Sequence, residues 1–112
     1  MNGPYLSGYQ IMWIQVMFDL PVDTKANRKA ATDFRQFLLD QGFEMSQYSV
    51  YLRFCKGKEQ VEKYVRLVGR NLPKDGKVSI LAFTDKQYEN IVSFTGGSRN
   101  AALKNPDQLA LF

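Results

Sequence analysis

Residues 11–19 (IMWIQVMFD) are apolar, aromatic and β-branched almost throughout, and Leu20-Pro21 ends the run. The pattern predicts a buried strand. The period then changes. Ala30, Phe34, Phe37 and Leu38 recur at helical spacing, with Lys25, Arg28, Lys29 and Arg35 turned to water. Asp23 or Thr24 caps this helix, because either side chain accepts an orphan amide proton, and Gly42 stops it. Residues 43–45 and 47–55 (QYSVYLRFC) read as extended, with a break near Ser46. A second helix over about residues 58–71 buries Val61, Tyr64, Val65 and Val68. Pro73 and Gly76 turn the chain into a strand over residues 77–84 (KVSILAFT). Residues 88–94 are assigned a further short strand, 95–108 a loop, and 108–112 (QLALF) a short apolar tail.

Two strand–helix–strand units in this order give an α+β fold, the ferredoxin-like βαββαβ sandwich: an antiparallel sheet with both helices on one face. A short C-terminal strand is added. The chain divides into an N-terminal arm (1–10), the ferredoxin-like domain (11–94), and a C-terminal loop with an edge strand (95–112).

A sheet covered on one face should alternate apolar and polar residues. Here the first strand has Met12, Ile14, Val16 and Phe18 on one parity, and Ile11, Trp13 and Met17 on the other. Val78, Ile80 and Ala82 stand against Leu81 and Phe83 in the same way, and Val50, Leu52 and Phe54 oppose Ser49, Tyr51 and Arg53. The second face therefore needs a cover. A homodimer packed through its sheets supplies one; the C-terminal segment folding back over its own sheet is the alternative. Leu109, Leu111 and Phe112 are assigned to partner contact, as an edge strand adding to another sheet.

Composition narrows the chemistry. The 112 residues are 45% hydrophobic and 23% charged, with one cysteine and no histidine. That composition fits one folded domain. An internal disulfide, a Cys- or His-based zinc site and a Ser-His-Asp or Cys-His centre cannot be built. Any metal must sit on oxygens, which favours magnesium, manganese or calcium. The free Cys55 reads as a small apolar filler and fits a reducing, cytoplasmic setting. No apolar run approaches the ~20 residues of a membrane span, and residues 1–10 lack the pattern of a signal peptide. The formal charge of +4 is uneven: residues 53–77 hold eight basic and three acidic residues, +5, against −1 elsewhere. Such a distribution suits an anionic partner such as nucleic acid, or else a solvated helix face.

Asp19 is the acidic residue to watch. It closes an apolar strand on the parity of Trp13, Gln15 and Met17, the face assigned to the dimer. Across a two-fold axis two such carboxylates repel unless protonated or bridged by a cation. They would then form an oxygen-only site for phosphodiester hydrolysis by metal-activated water. The plainer reading is an aspartate that caps the next turn. Ser49 and Tyr51 are placed on the same face, and Asp85 reads as a turn or helix cap.

VMFDLP (16–21), FLLDQGFEMSQYSVY (37–51), TDKQY (84–88) and QLALF (108–112) together resemble the small CRISPR-associated Cas-two family in its type II form. The likeness runs from Met12 to the end of the chain. It implies a ferredoxin-fold homodimer at the centre of the spacer-acquisition complex, flanked by dimers of a Cas-one type integrase that performs strand transfer. Prespacer double-stranded DNA lies along the dimer, which acts as platform and ruler in antiviral defence. The resemblance also implies a magnesium- or manganese-dependent endonuclease on RNA or DNA. Asp19 is then the catalytic residue and metal ligand, with one ion shared by the two Asp19 of the dimer; spacer acquisition does not need this activity. Lys25, Arg28, Lys29 and Lys86 are the implied nucleic-acid contacts, through phosphates rather than bases. A stand-alone, toxin-like ribonuclease on the same fold is the competing reading. An RNA-recognition module is less well matched, because residues 48–54 lack the glycines of that signature.

Overall fold

The computed structural model describes residues 11–96 and 98–99. Four strands form one antiparallel sheet: β1 (Ile11–Asp19), β2 (Glu44–Gln47), β3 (Val50–Lys56) and β4 (Lys77–Thr84), in the order β2-β3-β1-β4. Helix α1 (Lys25–Asp40) links β1 to β2, and α2 (Gly57–Gly69) links β3 to β4. This is the ferredoxin-like α+β sandwich. Beyond β4 come a one-turn helix, α3 (Asp85–Glu89), and a small hairpin of β5 (Phe94–Thr95) with β6 (Ser98–Arg99).

Local chemistry fixes each boundary. Thr24 is the α1 cap, its Oγ1 accepting from the Asn27 amide at 3.0 Å, while Asp23 Oδ1 takes the Asn27 side-chain amide. Gly42 follows α1 with φ +89°, and a Cβ there would meet the Arg53 guanidinium at 3.2 Å. That guanidinium holds the turn: Arg53 Nε donates to the Gln41 carbonyl at 2.8 Å and the group lies 4.0 Å over the Tyr64 ring. Arg53 thereby ties the end of α1 to β3 and α2.

Ile14, Val16 and Phe18 of β1, Tyr51 and Cys55 of β3, Phe34 and Leu38 of α1, and Val61, Tyr64 and Val68 of α2 form one buried core. Both helices therefore pack on the even-numbered face of β1. Phe34 packs edge-on to Phe18 at 5.3 Å, a favoured aromatic geometry.

Several expectations are corrected. Helix α2 buries Val61, Tyr64 and Val68, but Val65 is 40% exposed, and Ala31 rather than Ala30 is the buried alanine of α1. The irregularity near Ser46 is a register shift in the β2–β3 ladder, whereas the chain reverses at Tyr48-Ser49, Ser49 taking φ 63°. The strand expected over residues 88–94 is not formed: Asp85–Glu89 is helical, and of that stretch only Phe94 lies in a strand. Thr84 and Gln87 form a reciprocal capping box there, which satisfies two backbone amides and commits the chain to a helical turn. The hairpin of β5 and β6 occupies part of the segment expected to be a loop. Among the described residues no helix is long and apolar enough to cross a membrane.

Candidate functional site

The register decides what the open sheet face displays. Trp13 pairs with Phe54 and Phe83, Gln15 with Leu52 and Leu81, Met17 with Val50 and Ser79, and Asp19 with Lys77. Directly paired residues project to one face, so the side away from the helices carries Trp13, Met17, Val50, Leu52, Phe54, Leu81 and Phe83. Phe54 is 39% and Leu81 49% exposed. The expected placement of Tyr51 on this face is wrong. It pairs with Val16, is buried, and stacks on Phe18 at 5.7 Å. Alternation alone defines two parities; only the pairing after the Tyr48-Ser49 turn says which one faces the helices.

One end of the open face is covered from within the chain. Tyr88 of α3 stacks on Trp13 at 4.2 Å and on Phe83 at 6.5 Å. The Trp13 indole Nε1 donates to Asp85 Oδ1 at 2.8 Å. Asp85 thus anchors α3 to β1.

Asp19 ends β1 at the opposite edge of that face, and its side chain is exposed. The backbone around it is constrained. The Ser49 carbonyl accepts from the Phe18 amide at 3.1 Å, and a Cβ on Gly76 would come within 2.8 Å of the Asp19 carbonyl. Asp19 borders two depressions, one shared with Met17, Lys77 and Ser79, the other with Arg35, Tyr48 and Ser49. Among the described residues no group of three Cys, Asp or Glu side chains converges on a metal-sized space. An exposed carboxylate is the donor type that magnesium takes, since that ion is held by one or two carboxylates with water completing the octahedron.

The expected nucleic-acid contacts do not converge. Lys25, Arg28 and Lys29 share the first turns of α1, just past the Asp19 end of β1. Lys29 Nζ bonds Asp33 Oδ2 at 2.8 Å, and that bond with its charge raises the ammonium pKa above its ordinary 10.5. Arg28 Nη1 donates to the Val22 carbonyl. Lys86 lies on α3, next to Thr84, which pairs with Met12. Seven residues of strand at about 3.3 Å each put it roughly 23 Å along the sheet from Asp19. Leu109, Leu111 and Phe112 lie outside the described residues. Lys77 opposite Asp19, and Arg35 beside it, were not singled out from sequence as parts of a site.

An antiparallel sheet with two helices on one face, an apolar face that α3 covers at one end among the described residues, and an exposed carboxylate at a strand end define a ferredoxin-like sandwich protein. The profile of the family described as CRISPR associated protein Cas2 matches residues 12–91, and the chain belongs to that family. It is similar to the CRISPR-associated endoribonuclease Cas2 of Paracidovorax avenae, 62% identical over 96% of this chain and 99% of the relative. The proteins of the same name from Flavobacterium psychrophilum (41% identical, 96% and 93% covered) and Streptococcus mutans UA159 (35%, 87% and 88%) are also similar.

Proposed function

We propose that the protein is the platform subunit of CRISPR spacer acquisition: a homodimer joined through the open sheet face, which holds prespacer duplex DNA and bridges Cas-one type integrase dimers. What supports the reading is the apolar face itself. Beyond the Trp13 end that α3 covers, apolar side chains such as Phe54 and Leu81 stand exposed on this face among the described residues, and a second copy is the economical cover. The relatives are named endoribonucleases, and the dimer brings a second Asp19 to complete a magnesium or manganese site. When bound, that ion would supply an activated water for phosphodiester hydrolysis. In this chain Asp19 holds the ion, and the Lys25–Lys29 turn takes phosphates.

Asp19→Asn separates the two roles. Magnesium-dependent cleavage should be lost, while duplex binding and spacer acquisition persist. Changing Lys25, Arg28 and Lys29 together to Ala should instead weaken duplex binding regardless of sequence. The slope of log affinity against log salt should fall by about 0.9 for each phosphate no longer neutralised. Loss of acquisition in Asp19→Asn, with dimer and complex intact, would reject the platform reading in favour of a catalytic one.

A further inference from the structure

The depression on the α1 side of Asp19 carries chemistry that a metal-binding carboxylate alone does not require. It measures about 190 Å³ and has Asp19, Arg35, Tyr48 and Ser49 around the buried Phe18 and Ala31. Arg35 is half-buried, and its Nη2 makes a 3.3 Å bond to Thr32 Oγ1. No carboxylate lies within 4 Å of it among the described residues. Three other cations are engaged: Lys29 by Asp33, Arg28 by a carbonyl, Arg53 by carbonyls and the Tyr64 ring. Arg35 therefore keeps most of its five donors for something else. Tyr48, at the tip of the β2–β3 hairpin, is 82% exposed. That tip is held in place by the left-handed Ser49, whose carbonyl takes the Phe18 amide. An aromatic side chain at the hairpin tip and a forked cation on α1 line one hollow with the Asp19 carboxylate, an arrangement that matches one nucleotide of a single strand. The fork fits a phosphate and the ring fits an unpaired base.

We infer that this hollow is a phosphodiester subsite: Arg35 grips a backbone phosphate adjoining Asp19, and Tyr48 stacks the neighbouring base. The inference rests on the nucleic-acid reading above but not on cleavage. Its test uses full-length protein in the Asp19→Asn background, without divalent metal, and short fluorescent RNA and DNA single strands of one sequence. Binding is followed by anisotropy across a salt series.

Arg35→Gln should weaken both strands about tenfold, the worth of one charge-assisted hydrogen bond, and lower the salt slope by about 0.7. Arg35→Lys should restore the slope but not the full affinity, because an ammonium does not fork. Tyr48→Ala should cost about fivefold or more, with Tyr48→Phe near the parent. Wild-type affinity and slope in Arg35→Gln would overturn the subsite. If the Lys25, Arg28, Lys29 variant lost affinity in the same assay, the platform reading would survive that failure. A loss confined to RNA would move the contact to the 2′-hydroxyl and overturn the phosphate assignment. Wild-type protein that, with magnesium or manganese added, binds both strands yet cleaves neither would sink the nuclease reading and leave the subsite standing.

Discussion

Trp13 and Asp85 are 72 positions apart in the chain and joined by one 2.8 Å hydrogen bond from indole to carboxylate. The bond fastens α3 onto the end of β1, where Tyr88 completes the cover. Asp85→Ala should therefore destabilise the fold by about 1–2 kcal/mol, since a part-buried indole N–H loses a charged acceptor. Asp85→Asn, which keeps an oxygen acceptor, should cost less. Urea unfolding measures both. Trp13 is the one tryptophan, so its emission should shift red in Asp85→Ala as the ring becomes wetter.

Leu81 lies midway along the edge strand β4 on the open sheet face, paired with Gln15 and half exposed in the single chain. Leu81→Glu should leave the monomer folded, because the site is exposed there. At a sheet-to-sheet interface it buries an unpaired carboxylate, a penalty of about 3 kcal/mol or more and thus roughly a hundredfold in dissociation constant. Sedimentation equilibrium should show parent dimers and variant monomers. A variant that dimerises as tightly as the parent would place the dimer contact elsewhere.

Two glycines should respond with opposite signs. Gly76 has φ +97°, and an added Cβ would lie 2.7 Å from Leu20 Cδ2 and 2.8 Å from the Asp19 carbonyl. Gly76→Ala should cost about 1–3 kcal/mol and displace the Asp19 backbone, so any metal-dependent cleavage should fall with it. Gly69, in α2, has nothing within 4 Å of its would-be Cβ. Gly69→Ala should raise stability by about 0.5 kcal/mol through helix propensity. Thermal unfolding of the pair checks both signs.

Cys55 is fully buried, and desolvation raises its thiol above the ordinary 9.0 despite the nearby Arg53 charge. A raised pKa in the folded state favours the protonated thiol. Its contribution is thus complete below about pH 9 and declines as pH rises through the folded value. The native protein should resist thiol reagents at pH 8, with labelling limited by opening of the fold. Above pH 9 the parent should lose stability more steeply than Cys55→Ala, despite the cavity the variant carries.

The fold was largely legible because β1 and α1 carry strong, unlike periods and end at clear signals, Leu20-Pro21 and Gly42. The short α3 is not legible although Thr84 and Gln87 hold capping-box spacing; five residues are too few for an apolar helical period to declare itself. Asp19 stood out because a charge ending an apolar strand is visible in one dimension. Arg35 did not, since it shares a helix face with solvated cations. What distinguishes it is the hairpin tip of Tyr48 and Ser49 arriving from the other side, a meeting fixed by the pairing of β3 with β1.

The placement of α3 also sets an arithmetic for mixtures. In the proposed dimer, α3 at the Trp13 end of the open face steers the second copy toward the Asp19 end, where symmetry would supply every group twice. Each chain would then bring one of the two carboxylates of the proposed metal site. In cells making equal amounts of parent and Asp19→Asn chains that pair at random, half of all dimers would be mixed and only a quarter would hold both carboxylates. Cleavage should track that quarter, and DNA binding should not change at all: the defective copy would be dominant for one activity and silent for the other.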